Sequence, residues 1–91
     1  MGKTMQVFYD GRVQGVGFRY TARRVASGYD VAGYVRNLPD GRVELVASGE
    51  PDEVDEFLAA MRESELAGHI ENESAAEIGV TAGLRGFEIR A

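Results

Sequence analysis

Gly11-Arg12-Val13-Gln14-Gly15-Val16-Gly17-Phe18-Arg19 is the stretch on which the reading of this chain turns. It joins the β-rich run Met5-Gln6-Val7-Phe8-Tyr9 to a segment whose apolar residues Phe18, Ala22, Val25 and Ala26 fall at i, i+4, i+7 and i+8, the stripe of a helix. Glycines lack a Cβ and admit backbone angles that turn consecutive N–H groups toward one point, so the loop predicts a concave nest of donors. A helix beginning near Phe18 adds its unpaired first-turn amides and the positive end of its dipole, both favourable to a phosphate-like group. Arg19 contributes a planar, permanently charged fork. Its charge opposes the dipole of the helix it starts, which predicts a compensating partner from outside that helix, and a bound anion is one.

Working outward, Asp10-Gly11 is a turn signal that closes the first strand, and Gly28 is placed to end the first helix in the left-handed conformation. Val31, Gly33 and Val35 alternate with Ala32, Tyr34 and Arg36. After a Pro-Asp-Gly turn, Val43, Leu45 and Ala47 alternate with Arg42, Glu44 and Val46, which predicts a hairpin. Pro51 suits a first helical turn, Asp52 and Glu53 complement the dipole, and Val54, Phe57, Leu58 and Met61 form the apolar face of a second helix. Ile70 to about Ala76 reads as a polar edge strand, and Gly86 to Arg90 as a closing strand with Phe87 and Ile89 inward. The order βαββαβ, without repeats or a low-complexity linker, predicts an α+β fold of the ferredoxin-like kind: two helices on one face of an antiparallel sheet, as a single domain over residues 1–91.

Ninety-one residues with 44% hydrophobic content suit one modest core. No apolar run approaches the ~20 residues that span a bilayer, and Met1-Gly2-Lys3-Thr4 has no signal-like apolar stretch, so the expected location is the cytoplasm, away from membranes. The absence of cysteine removes disulfides, thiolate chemistry and cysteine-based metal sites together. A formal net charge of −5 opposes long-range attraction to nucleic acid, so any anion site must be local. Size and surface polarity suggest a monomer.

At Gly11 to Arg19 the chain resembles the acylphosphatase family, whose signature loop reads Gly-x-Val-Gln-Gly-Val-x-Phe-Arg and is matched without a gap. Val35-Arg36-Asn37-Leu38-Pro39-Asp40-Gly41-Arg42-Val43 matches a second family block, in which an asparagine ends a strand just before a turn. The likeness covers nearly the whole chain and thins after the second helix, where the family usually shows a Gly-Pro pair and this chain has Ser64-Glu65-Leu66-Ala67-Gly68. That departure bears on the local turn and not on the site.

The resemblance implies an enzyme that hydrolyses the carboxyl-phosphate bond of acyl phosphates without a metal ion or other cofactor, with inorganic phosphate as product and competitive inhibitor. It implies that Arg19 and Asn37 are catalytic. The backbone amides of Gln14, Gly15, Val16, Gly17, Phe18 and Arg19 would bind the phosphoryl oxygens. The residues agree with such chemistry. His69 stands alone, no metal-ligand spacing exists, and no serine, cysteine or histidine accompanies the loop as nucleophile or base. A carboxylate leaving group, whose conjugate acid has a pKa of about 4 to 5, departs at neutral pH without a proton donor. Nothing in the sequence forms a pocket for the acyl group, so broad acyl specificity is expected.

Plainer roles compete at several positions. Arg12 reads as a solvated arginine, Phe18 as a core anchor whose backbone alone serves the loop, and Asn37 on local grounds as an Asx-type turn residue. The run Glu50, Asp52, Glu53, Asp55, Glu56 reads as the start and outer face of the second helix, and His69 as a surface residue. Two other functional classes remain open: a module that holds a phosphorylated effector without cleaving it, against which Asn37 argues, and an RNA-binding domain, against which the negative charge and the missing stacking motif argue.

Overall fold

The computed structural model describes residues 2–79 and 83–91. The elements are β1 (Lys3–Gly11), α1 (Phe18–Ala26), β2 (Val31–Asn37), β3 (Val43–Gly49), α2 (Pro51–Arg62), a 3₁₀ turn (Ala67–His69), β4 (Ile70–Ile78) and β5 (Phe87–Arg90). Residue 1 and residues 80–82, the latter between the expected edge and closing strands, lie outside the described residues. The strands form one sheet in the order β4-β1-β3-β2-β5.

Period-two alternation decides which strand residues face the helices. Val7 and Tyr9 of β1, Val35 of β2 and Val43, Leu45 and Ala47 of β3 point to one face. There they meet Phe18, Ala22 and Ala26 of α1 and Val54, Phe57, Leu58 and Met61 of α2, and all of these are buried. Both helices therefore cover the same face, as the element order predicts. Fully buried Phe57 stabilises this layer by about 1.5–3 kcal/mol and packs edge-on against Phe87 of β5, ring centroids 5.4 Å apart. The opposite face is polar at its centre: Glu44, 4% exposed, accepts from Arg36 Nε at 2.6 Å and Gln6 Nε2 at 2.8 Å, so its buried charge is paired.

The sheet departs from the sequence expectation in one respect. It is mixed, not antiparallel throughout, because β5 runs parallel to β2 with Gly33 opposite Phe87 and Val35 opposite Ile89. Parity explains the difference. β4 lies antiparallel to β1 at one edge, and directions alternate through β3 to β2. A fifth strand that reverses β4 and reaches the far edge must then run with β2. Two smaller features also differ. Gly28 does not adopt positive φ, and α1 instead unwinds through tight bonds from Gly28 N–H to the Val25 carbonyl and Tyr29 N–H to the Ala26 carbonyl. After α2, where the proline of the family is missing, Ser64 makes the turn: its hydroxyl donates to the Met61 carbonyl at 2.7 Å and accepts from Leu66 N–H at 3.2 Å, and this seats buried Leu66.

β1 loses register with β4 between Asp10 and Gly11. This irregularity ends the strand, and Arg12 N–H donates to the His69 carbonyl at 2.9 Å as the chain leaves the sheet. Val13 returns to the core, and Phe18 packs on Tyr9 with ring centroids 5.0 Å apart. The loop between these two buried anchors has no core contact to satisfy and stands over the end of β2.

Candidate active site

Gly15 and Gly17 hold φ values of +80° and +77°, the left-handed region that turns neighbouring amides to one side. Gly17 is the residue from which α1 starts, and no side chain caps that start. The first helical bond runs from Thr21 N–H to the Gly17 carbonyl at 3.0 Å. No backbone amide from Gln14 to Arg19 donates to a protein acceptor among the described residues. The first turn of α1 contains no acidic residue either. Nest, helix start and dipole thus converge on one region without an internal anion.

The cleft above this region has a volume of about 240 Å³ and is lined by Val13, Gly15, Gly17, Phe18, Arg19, Tyr20 and Asn37. Of the site residues expected from the sequence it brings together Gly15, Gly17, Phe18, Arg19 and Asn37. Gln14 and Val16 belong to the loop but not to the lining. A larger surface depression of about 470 Å³ lies elsewhere, against Tyr29 and α2, and its lining contains glutamates but no basic residue.

Arg19 is half-buried, and its Nη1 donates to the Arg90 carbonyl at the end of β5 at 3.2 Å. This neutral acceptor is the partner that the structure supplies for an arginine opposing its own helix. No carboxylate comes within ion-pair distance of Arg19 among the described residues, so its charge remains available in the cleft. Arg90 is itself held by Tyr34, whose ring centroid lies 4.2 Å from its guanidinium carbon.

Asn37 ends β2 opposite Val43 and is half-buried at the cleft wall. Its competing role as a turn former belongs to another residue. The tight turn is closed by Leu38 N–H to the Arg42 carbonyl at 2.8 Å, and Asp40 Oδ1 accepts Arg42 N–H at 3.0 Å. The Arg42 amide, and after it the Arg42 guanidinium at 2.8 Å, hold the Asp40 carboxyl below the usual carboxylate range. Asn37 is left with no hydrogen bond from its side-chain amide to protein among the described residues.

Gln14 has a role that reading only its backbone misses. Its Nε2 donates to the Leu38 carbonyl at 2.8 Å and the Arg42 carbonyl at 2.9 Å, which ties the loop to the turn that carries Asn37. A long amide side chain in an otherwise glycine-rich loop was the available signal. For the Arg90 carbonyl there was none, since any residue supplies one.

A glycine nest at a helix start, with an arginine free of carboxylate partners among the described residues and a strand-end asparagine on one cleft, has the chemistry to receive a phosphate-like anion on a ferredoxin-like α+β scaffold. The acylphosphatase family model matches residues 5–89, and the chain belongs to that family. An acylphosphatase of Rubrobacter xylanophilus is 44% identical over 88 residues, covering 97% of this chain and 80% of the relative. One from Methylococcus capsulatus is 42% identical over 87 residues, covering 96% and 95%. The crystal structure of acylphosphatase from Bacillus subtilis superposes with a TM-score of 0.88 at 34% identity and full coverage of both chains. The activity of the family is hydrolysis of acyl phosphates, and this chain is a hydrolase of that kind.

Proposed function

We propose that this chain, acting as a single domain over residues 1–91, cleaves acyl phosphates without a metal ion through Arg19, Asn37 and the loop amides. The amides of Gln14 to Arg19 and the Arg19 guanidinium hold the phosphoryl oxygens. Asn37 holds a water molecule, its side-chain carbonyl accepting from the water and its NH₂ able to donate to it. The water oxygen attacks phosphorus in line, the bond from phosphorus to the carboxyl oxygen breaks, and that electron pair leaves with the carboxylate. A phosphoryl oxygen takes the proton released by the water, so the products are carboxylate and inorganic phosphate. In a loose transition state the protein's task is positioning and charge stabilisation, for which a nest and a fork suffice.

The reading rests on one observation: the cleft that exposes the unpartnered start of α1 also contains Arg19 and Asn37. Benzoyl phosphate consumption followed by ultraviolet absorbance at neutral pH with EDTA tests it. Hydrolysis unaffected by the chelator is expected, and activity restored only by added divalent metal would sink the metal-free mechanism. The reading also has the chain act in the cytoplasm as a monomer on small molecules and not on nucleic acid, which the net charge of −5 supports. Light scattering of the folded chain checks the monomer against its 9.9 kDa mass.

A further inference from the structure

We propose that Tyr20 forms the acyl subsite of this cleft and gives the enzyme a preference for aromatic and other large apolar acyl groups. The inference rests on the phosphate reading of the cradle given above. Among the described residues Val16 and Tyr20 are the large hydrophobic side chains left exposed, at 38% and 67%. Isolated exposed apolar residues are ordinary, but here both belong to the eight or so residues that build the cradle, and Tyr20 itself lines the cleft.

Neither residue has a structural reason to be apolar. Val16 sits between two glycines of positive φ at the loop tip, and Tyr20 lies in the first turn of α1, where an acidic side chain would complement the dipole. The phosphoryl end of every acyl phosphate is the same, and it is matched by amides and Arg19. What distinguishes one substrate from another is the carbon skeleton that extends from the phosphate, and of the apolar side chains in the lining Val13 and Phe18 are buried in the core, which leaves Tyr20 exposed to meet it. The Tyr20 ring supplies a flat apolar surface beside the cradle. Arg23, one turn along the helix, sets its guanidinium carbon 5.5 Å from the ring centroid, which restricts the ring while leaving most of it in solvent. A preorganised ring of this kind favours flat or bulky acyl groups over acetyl, and so narrows the broad acyl specificity expected from the sequence.

The test is a double ratio: kcat/KM for benzoyl phosphate over kcat/KM for acetyl phosphate, in wild type, Tyr20→Ala and Tyr20→Phe. Intrinsic reactivity of the two substrates and any change in the shared phosphate cradle cancel from it. An aromatic contact of ordinary size predicts that Tyr20→Ala lowers the ratio about three- to tenfold while Tyr20→Phe retains it. A ratio unchanged in a Tyr20→Ala variant that melts like wild type overturns the acyl subsite and leaves the cradle standing. Failure of wild type to hydrolyse either substrate overturns the reading of the cradle, and the subsite with it.

Discussion

α1 and α2 face the same problem at their first turns and answer it in opposite ways. Each exposes amides without intrahelical partners at the positive end of a dipole. α2 resolves this from its own sequence: Pro51 removes one amide, and Asp52 and Glu53 bring negative charge to the first turn. Glu53 also accepts Asp30 N–H at 2.7 Å, and Asp55 pairs with Lys3 Nζ at 2.7 Å, so two members of the acidic run also hold the helix to its neighbours. In α1 the second and third helical positions, where α2 has Asp52 and Glu53, hold Arg19 and Tyr20, and the residue before the helix is an uncapped left-handed glycine. A helix start that neutralises itself has nothing to offer an anion. The contrast teaches that local stability has been given up at one helix of this small fold and kept at the other, and the proposed site lies where it was given up.

Removing Arg19 should break the contrast most severely. Arg19→Ala is expected to lower kcat/KM by about 10²–10³-fold, the usual cost of losing a preorganised donor to transition-state charge, and to weaken competitive inhibition by inorganic phosphate in parallel. Asn37→Ala should lower kcat about 10²-fold, as misplacement of one reactant does, while phosphate inhibition persists. Steady-state kinetics with phosphate as inhibitor separates the two. If the arginine variant were inhibited as well as wild type, the cradle would not depend on its fork, and full turnover by the asparagine variant would remove the water-holding role.

A smaller change sharpens the comparison by giving α1 what α2 already has. Tyr20→Glu puts a carboxylate at the third helical position, where it stabilises the helix by about 0.3–1 kcal/mol and competes with the anion for the same amides. A slightly higher Tm with phosphate inhibition weakened about fivefold is expected, and the weakening should fade as salt screens the new charge. Because phosphate has no acyl group, loss of the tyrosine ring does not confuse this measurement. Unchanged phosphate inhibition at low salt would mean that the helix start is not part of the electrostatic site.

What could be read in advance was what local pattern encodes. The loop string, both helix stripes, the hairpin alternation and the polar edge strand at Ile70 each depend on spacing within about a dozen residues, and each is found as an element of the fold. Arg19 and Asn37 were legible as a pair only through the family pattern, because 18 positions of chain separate them and nothing local links a first-turn arginine to a strand-end asparagine. The features that escaped are long-range or generic. The parallel pairing of β5 depends on counting strand directions across the whole sheet. The Arg90 carbonyl that meets Arg19 is a backbone atom any sequence would supply, and the Gln14 amide finds carbonyls 24 and 28 residues away. Asp40 rather than Asn37 closes the hairpin turn because its carboxylate reaches the Arg42 amide two residues on, a competition between neighbouring turn formers that composition alone does not decide.

The least of the expected effects belongs to the helix that completes itself. Asp52→Asn keeps the size of the side chain and removes a charge in the first turn of α2 at an exposed position that is not part of the cleft lining. Only the interaction with the dipole changes, so stability should fall by about 0.3–1 kcal/mol, a few degrees in Tm for a chain of this size. Because the interaction is exposed, the difference from wild type should shrink between low salt and about 1 M, where the Debye length is only about 3 Å. Turnover and phosphate inhibition should match wild type at every ionic strength, since the residue serves the fold and not the site. Thermal melts across a salt series, run beside the kinetic assay, decide it. A loss of activity without a loss of stability would reverse the division of labour between the two helix starts, because it would place the electrostatics of α2 within reach of the anion.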